Sequence, residues 1–472
     1  MILSVTELGS GHVPDVCIIG SGPAGMTLAV ELHRFGKDVL VLEAGGRELT
    51  DESQDVYRGK TVGDKYYDLE SARLRYLGGT SNHWAGWSRP LDAIDFEPRD
   101  IAPNTGWPIT KKHLDPYISA AKDVLELQGS FERVFQSGGI REIRFLNSSP
   151  PVKFGEKYID EFDNSERLSL CLNANVTALE TQHGHVTAAR VHDFEGNGAQ
   201  VRAGVFVLAC GGIENSRLLL HFNAESGGRL VPQAETLGRY WMEHLYASPG
   251  EAFMNEPIDD RRTFALTAEK QRELQILNCR IRIQATPVSP SHFRELARTL
   301  ACQAPALGAW IYDRMGRDLR CTAQIQTSWE QEPRRENRIT LSESDCDRFG
   351  IPRPVLHWTR SELDRRTLDE SVLFFGEVMA RSDLGRLRMT SWMRDGDEAP
   401  RDGLLGGWHH MGGTRMSQRA GEGIVNSDLR VWGQDNLYVA GSSVFPAGGQ
   451  ANPTFTIVQL SLRLANQLSR HL

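Results

Sequence analysis

Three stretches of the chain carry residues whose types and spacing can do chemistry. The first is Gly20-Ser-Gly22-Pro-Ala-Gly25, with Glu43 following 18 residues after Gly25. Glycines at this spacing can cradle a pyrophosphate. Gly20 permits a tight turn, Gly22 lets the backbone approach the phosphates, and Gly25 lets a helix pack close on a strand. Glu43 can accept hydrogen bonds from ribose hydroxyls. The second stretch is Trp408-His409-His410-Met411-Gly412-Gly413-Thr414-Arg415-Met416. Its imidazoles ordinarily titrate near pH 6.5, where a side chain can take and return a proton, although two adjacent histidines on a loop are a weak signal alone. The third is Asn452-Pro453-Thr454, just ahead of a closing apolar helix. Asn452 there can act as a simple helix cap.

Each stretch needs elements to hold it. Asp15–Ile19 reads as a short buried strand, and an apolar helix pattern runs through Met26, Leu28, Ala29, Leu32 and Phe35. A second strand, Asp38–Leu42, delivers Glu43. This is a complete strand–turn–helix–strand–acid unit, a far more specific signal than an isolated glycine pattern. It does not by itself separate FAD from NAD. No second such unit follows a strand, and no CxxxxC pair is present. Val205–Cys210 reads as a strand feeding the turn Gly211-Gly212 and a helix; Leu437–Ala440 reads as a strand ending at Gly441-Ser442. Gly78-Gly79-Thr80-Ser81 offers small residues to a loop pressed against a flat ligand. From about residue 252 to 398 the pattern becomes antiparallel, with strands at Cys279–Ile283, Ala323–Ser328, Ile339–Leu341 and Val355–Trp358, then a helix from Ser361 to Ala380. Leu168–Val176 reads as one further strand.

Composition narrows the function classes. Lys plus Arg is 53 and Asp plus Glu is 61, a net charge of −8, which argues against a nucleic-acid partner. No apolar run approaches the ~18 residues of a membrane span, and the N-terminus lacks the charged-then-apolar pattern of a secretory leader. Seven cysteines lie scattered without metal-ligand spacing. The expectation is a cytoplasmic protein with no metal and no membrane. Glycine stands out, at 45 of 472 residues against a usual ~7%.

With these motifs in place, the chain resembles the glucose-methanol-choline (GMC) oxidoreductases. The likeness is carried by Glu43-Ala-Gly-Gly46, the loop Arg75–Trp84, the turn Gly211-Gly212-Ile-Glu-Asn-Ser216, the segment Gly238-Arg-Tyr-Trp-Met-Glu-His244, and the His409 and Asn452 segments. The resemblance implies FAD as cofactor and an α/β architecture like that of p-hydroxybenzoate hydroxylase. A Rossmann-like FAD-binding domain (1–100, 160–250 and 405–472) would be joined to an α+β substrate domain on an antiparallel sheet (101–159 and 251–404). It implies FAD contacts from Gly20, Gly22, Gly25, Glu43, Gly78, Gly79, Thr80, Ser81, Asn82, His83, Val176 (through its backbone), Gly211, Gly441, Ser442, Asn452 and Thr454.

Gly412, Arg415 and Met416 match the family's H-x-x-G-T-x-R-M segment with His409 as the catalytic base, while Gly413 in place of the usual Thr leaves His410 as a second candidate. Asn452 falls on the second catalytic position. His83 and Trp84 depart from the usual pattern toward the pyranose 2-oxidase-like branch, where a histidine is bonded to the flavin 8α-methyl; His83 either forms that bond or packs near the flavin edge. For Glu243 and His244 a hydrogen-bonding role at a helix end is expected rather than catalysis.

The implied activity is oxidation of a CH–OH group, a secondary hydroxyl of a sugar, glycoside or cyclitol, by hydride transfer to flavin N5. Dioxygen or another acceptor would then reoxidise the flavin. Alternatives are oxidation of a primary alcohol or polyol (an aminoglycoside-type 6'-alcohol included), a nicotinamide-dependent dehydrogenase, and a non-catalytic flavin-fold binding protein.

Overall fold

The computed structural model describes residues 1–472 apart from 10, 132–135, 256–261, 286–303, 305–309, 311–321 and 398–404. Cys302 and Cys321 lie outside the described residues; Cys17, Cys171, Cys210, Cys279 and Cys346 are free thiols.

The strand runs Val16–Ile19, Val39–Leu42 and Val205–Leu208 are apolar at every position, and every position is buried. Strands of this kind belong in a parallel sheet covered on both faces. They form the centre of a six-stranded parallel sheet, in the order Ile2–Leu3, Leu168–Cys171, Val39–Leu42, Val16–Ile19, Val205–Leu208, Leu437–Val439. Register decides what this sheet can bind. Leu208 pairs with both Ile19 and Val439. Three strands therefore end level, and the turns at Gly20, Gly211 and Gly441 open on one side, the crevice where α/β sheets bind ligands. Helix Pro23–Arg34 leaves the first turn and packs against the closing helix Thr454–Leu468.

Gly25 is required by that packing, since a Cβ there would lie 1.9 Å from the Gly20 carbonyl oxygen. Leu168–Val176 is not one strand. Asn173 turns the chain with φ +53°, so Leu168–Cys171 joins the parallel sheet while Asn175–Gln182 pairs with His185–His192 in a separate three-stranded sheet. The short polar side chain of Asn tolerates that backbone better than the apolar residues around it.

The second large sheet takes its strands from 136–143 and 244–406. Its order is Gly385–Met389, His244–Met254, Thr322–Glu330, Cys279–Ala285, Arg262–Leu266, Ile140–Ile143, Gln136–Ser137, all antiparallel, with Leu405–Gly406 pairing His244–Met254. Helix Glu362–Arg381, capped by Ser361 through a reciprocal bond with Asp364, packs on this sheet. Cys279, Ile281 and Ile283 are buried in the same apolar core as Leu368, Val372 and Phe375 of the helix. Period-2 geometry then sends Arg280 and Arg282 to the opposite face, where both border the large cavity between the two sheets.

Candidate active site

The cavity measures about 620 Å³ and runs from the level strand ends to the antiparallel sheet. Of the residues singled out in the sequence, Gly20, Gly22, Glu43, Gly79, Thr80, Ser81, His83, Gly211, Gly441, Ser442, Asn452, Thr454 and both His409 and His410 line it. Gly25, Gly78, Asn82 and Val176 do not. Gly25 serves the helix packing described above. Gly78 N–H donates to Ser21 Oγ at 3.0 Å, and the Asn82 amide donates to the carbonyls of Leu77 and Gly79, both at 2.9 Å; both residues shape the loop from behind. Val176 lines a smaller neighbouring cavity that shares Gly20, Glu43 and Cys210 with the large one.

The walls fit a dinucleotide. A Cβ at Gly22 or Gly211 would meet no protein atom within 4 Å, so at both places bare backbone faces the space a side chain would fill. Gly20 has φ +106°, and a Cβ on it would approach the Ala209 carbonyl oxygen to 2.7 Å. Helices Pro23–Arg34 and Thr454–Leu468 both begin at the cavity with no side-chain cap, leaving first-turn N–H groups for anionic or carbonyl oxygens. Glu43 accepts from Ser21 N–H at 3.0 Å, Ser21 Oγ–H at 2.5 Å and Gly45 N–H at 2.8 Å, which fixes its carboxylate beside the turn.

At the other end of the cavity two histidines meet. His244 Nε2 lies 2.8 Å from the Gly449 carbonyl oxygen, and its Nδ1 lies 2.8 Å from His409 Nδ1. A carbonyl only accepts, so His244 Nε2 carries the proton and His244 Nδ1 the lone pair. His409 Nδ1–H must then donate to it. That assignment leaves His409 Nε2 with a free lone pair. Burial, followed by the charges of His244, Arg280 and His410, holds His409 well below the ordinary histidine pKa, and burial takes His244 down to about 4. Both rings are neutral at pH 7.

Glu243 braces the pair. One of its oxygens accepts from His409 N–H at 2.7 Å and His244 N–H at 2.8 Å, and the other accepts from the Tyr66 hydroxyl. Burial pushes its carboxyl up to about 7. Glu243 and His244 thus stand at the start of a strand, not at a helix end as expected from sequence, because Leu245 pairs with Gly406 and draws His244 toward the His409 loop. His410 turns into the protein, with Nε2 3.0 Å from the Tyr66 hydroxyl and its ring beside Trp241. Burial lowers its pKa to about 3.

Asn452 is held by both ends of its amide. Its Nδ2 donates to the Trp87 carbonyl at 2.8 Å, and its Oδ1 accepts from Arg280 Nη1 at 2.8 Å. Arg280 also donates to the Gln450 carbonyl and to the Tyr246 hydroxyl. Trp408, with φ +58°, stacks on His83 with ring centroids 5.4 Å apart. Left-handed backbone is strained for a bulky side chain. Tyr66, Tyr246 and Arg280 escaped the sequence reading. Only Arg280 had a signal there: it alternates with the apolar Cys279, Ile281 and Ile283, so its strand face could be deduced.

A glycine-lined dinucleotide cleft that ends at a neutral imidazole and an oriented amide defines an FAD-dependent oxidoreductase of alcohols. Comparison with known proteins agrees. Residues 333–461 match the GMC oxidoreductase family profile, and residues 14–246 match the pyridine nucleotide-disulphide oxidoreductase profile. The profile match and the relatives that follow support the GMC oxidoreductase family. It is 25% identical to the 6'''-hydroxyparomomycin C oxidase of Streptomyces lividus, over 98% of this chain and 92% of that protein. It is 22% identical to the fructose dehydrogenase large subunit of Gluconobacter japonicus, over 96% and 97%. A 32% match to the C-glycoside 3-oxidase of Microbacterium trichothecenolyticum covers 33% of this chain and 27% of that one. Among solved structures, pyridoxine 4-oxidase from Mesorbium loti shares the fold, with TM-score 0.60 at 15% identity over 97% of this chain and all of that one. Among the described residues no helix is long and apolar enough to cross a membrane.

Proposed function

We propose that this enzyme oxidises a secondary hydroxyl of a sugar, glycoside or cyclitol to the carbonyl. FAD, when bound along the glycine-lined cleft, supplies the two-electron acceptor for the hydride that leaves the carbinol carbon. The chain does the rest. His409 takes the hydroxyl proton on Nε2, the nitrogen left free by the His244 contact. Asn452 Nδ2 has one proton on the Trp87 carbonyl and a second to donate to the developing alkoxide. His410, tied to Tyr66, supports the loop. The observation that carries this reading is the His244–His409 pair, whose hydrogen bonds leave one basic nitrogen uncommitted at the cavity wall.

The substrate class is supported by the relatives, whose names specify a fructose dehydrogenase, a C-glycoside 3-oxidase and oxidases of paromomycin-type compounds. The Gly, Thr, Ser and Asn positions lining or bracing the cleft, with Glu43, His83 and the backbone of Val176, are the residues we assign to FAD. We keep the division into an FAD-binding part and a substrate part on the antiparallel sheet. Dioxygen or another acceptor closes the cycle, and the scattered free cysteines favour the cytoplasm.

The test is anaerobic bleaching of the bound flavin by a panel of sugars, glycosides and cyclitols. His409→Ala is expected to keep FAD and lose bleaching. Bleaching at the normal rate in that variant refutes the role of His409, and a flavoprotein that no alcohol reduces favours a binding protein.

A further inference from the structure

The substrate end of the cavity is cationic. Arg280 is only 3% exposed, and its hydrogen-bond partners are the Gln450 carbonyl at 3.2 Å, Asn452 Oδ1 at 2.8 Å and the Tyr246 hydroxyl. All three are neutral. Among the described residues no carboxylate forms an ion pair with Arg280, and Glu43 is the one carboxylate residue lining the cavity. Glu43 stands at the dinucleotide end and is engaged by Ser21 and Gly45.

A buried cation with no counter-ion is costly to maintain, and most of the other buried arginines are ion-paired, Arg75 and Arg415 being the exceptions. Arg99 is paired with Glu330, Arg141 with Asp92, and Arg73 and Arg217 with Glu214. The bonds above engage three of the guanidinium's five N–H donors. Nε and one Nη2 proton remain, a pair suited to the two oxygens of a carboxylate.

We propose that this cavity accepts a sugar-type alcohol bearing a carboxylate, an aldonate or uronate, with Arg280 as the residue that reads the carboxylate. The inference rests on the function proposed above and names its substrate class. The direct bond from Arg280 to Asn452 places that carboxylate close to the hydroxyl being oxidised. Amine-bearing sugars carry the wrong charge for this end of the cavity and are expected to be poor substrates.

The test uses the holoenzyme and anaerobic flavin bleaching with matched probes: methyl β-D-glucuronide, its uncharged glucuronamide and methyl β-D-glucoside. The wild type is expected to half-saturate with the acid at least about tenfold below the amide, a preference that shrinks as salt is raised. Arg280→Gln retains an N–H toward Asn452. It is expected to slow bleaching by every probe through its contact with Asn452, and to erase the preference by raising the acid's half-saturation about tenfold or more relative to the amide's. Arg280→Lys, which keeps charge without the planar fork, should retain part of the preference. Equal half-saturation by acid and amide in the wild type overturns the proposal without any variant, and so does a preference that survives in Arg280→Gln. Bleaching by the glucoside alone overturns the proposal and leaves the alcohol-oxidase reading intact, whereas no bleaching by any probe or by the wider panel defeats both.

Discussion

The sharpest consequence of the site geometry concerns His244, which touches no part of the proposed reaction. Its Nδ1 accepts the proton of His409 Nδ1 across 2.8 Å, and its own Nε2–H is anchored on the Gly449 carbonyl. His244→Phe keeps a ring in the space and deletes the acceptor. His409 then has two options. It can keep its proton on Nδ1, leaving a buried N–H unpaired at about 1–3 kcal/mol. Otherwise it moves the proton to Nε2 and ceases to be a base on the cavity side. Because about 1.4 kcal/mol is a factor of ten in rate, flavin reduction should slow by roughly 5- to 150-fold. FAD content should hold, since no predicted cofactor residue bonds to His244, and half-saturation should move little. His244→Asn places a carbonyl oxygen near the old Nδ1 position and should recover most of the lost rate. The assay is stopped-flow flavin bleaching under anaerobic conditions, with rate and half-saturation separated. Full-rate bleaching in His244→Phe refutes the tautomer argument, as does an Asn variant no faster than the Phe variant.

Two further outcomes follow from the buried charges. Burial depresses the His409 pKa, so the base is already deprotonated at neutral pH and protonates only on the acid side of the ordinary histidine range. The bleaching rate should therefore stay level from about pH 6.5 upward and fall only at more acid pH; a half-maximal point at 6.5 means a solvated imidazole and a different base. Arg217 is fully buried, holding Glu214 and Asp347 together with the backbone carbonyls of Ile351 and Pro352. Arg217→Met strands Asp347, while Glu214 keeps Arg73, and should lower stability by about 3–5 kcal/mol, read as a lower urea midpoint of the holoenzyme, with the midpoint unchanged if the network is a bystander.

What the sequence revealed follows a physical division. Most contacts proposed for FAD would come from backbone at strand ends and in one glycine loop, so each is written in a few consecutive residues. Gly20, Gly22, Gly79 and Gly211-Gly212, which line the cavity, could be read that way, and so could the strands feeding the turns at Gly20 and Gly211. The misread stretch, Leu168–Val176, failed at Asn173, where one left-handed residue sends an otherwise uniform apolar run into two different sheets. The pairings that tune the chemistry were invisible for the opposite reason. His244 and His409 are 165 positions apart, and Arg280 and Asn452 are 172 apart. They meet because Leu245 pairs with Gly406 and because the 279–285 strand turns its polar face to the cavity. No local pattern encodes either event, and Glu243-His244, which in sequence reads as a hydrogen-bonding pair at a helix end, shows its partners only once the pairing is known.

The two catalytic candidates also differ in what their partners do to them. His409 is surrounded so as to stay neutral: burial, the neighbouring imidazoles and the Arg280 charge all oppose its protonation, and its one orienting partner is an uncharged ring. Such a base is weak in the ground state and gains from any group that stabilises the alkoxide it helps to form. Asn452 is placed to do so, because Arg280 pulls on its amide oxygen and so makes Nδ2–H a stronger donor, as hydrogen bonds in a chain polarise one another. A single buried guanidinium thus acts on both steps of the proton's departure, lowering the affinity of the base and raising the acidity of the hydroxyl. The second effect offsets the first if the alkoxide forms beside Asn452, on the side of the cavity where the 279–285 strand puts Arg280.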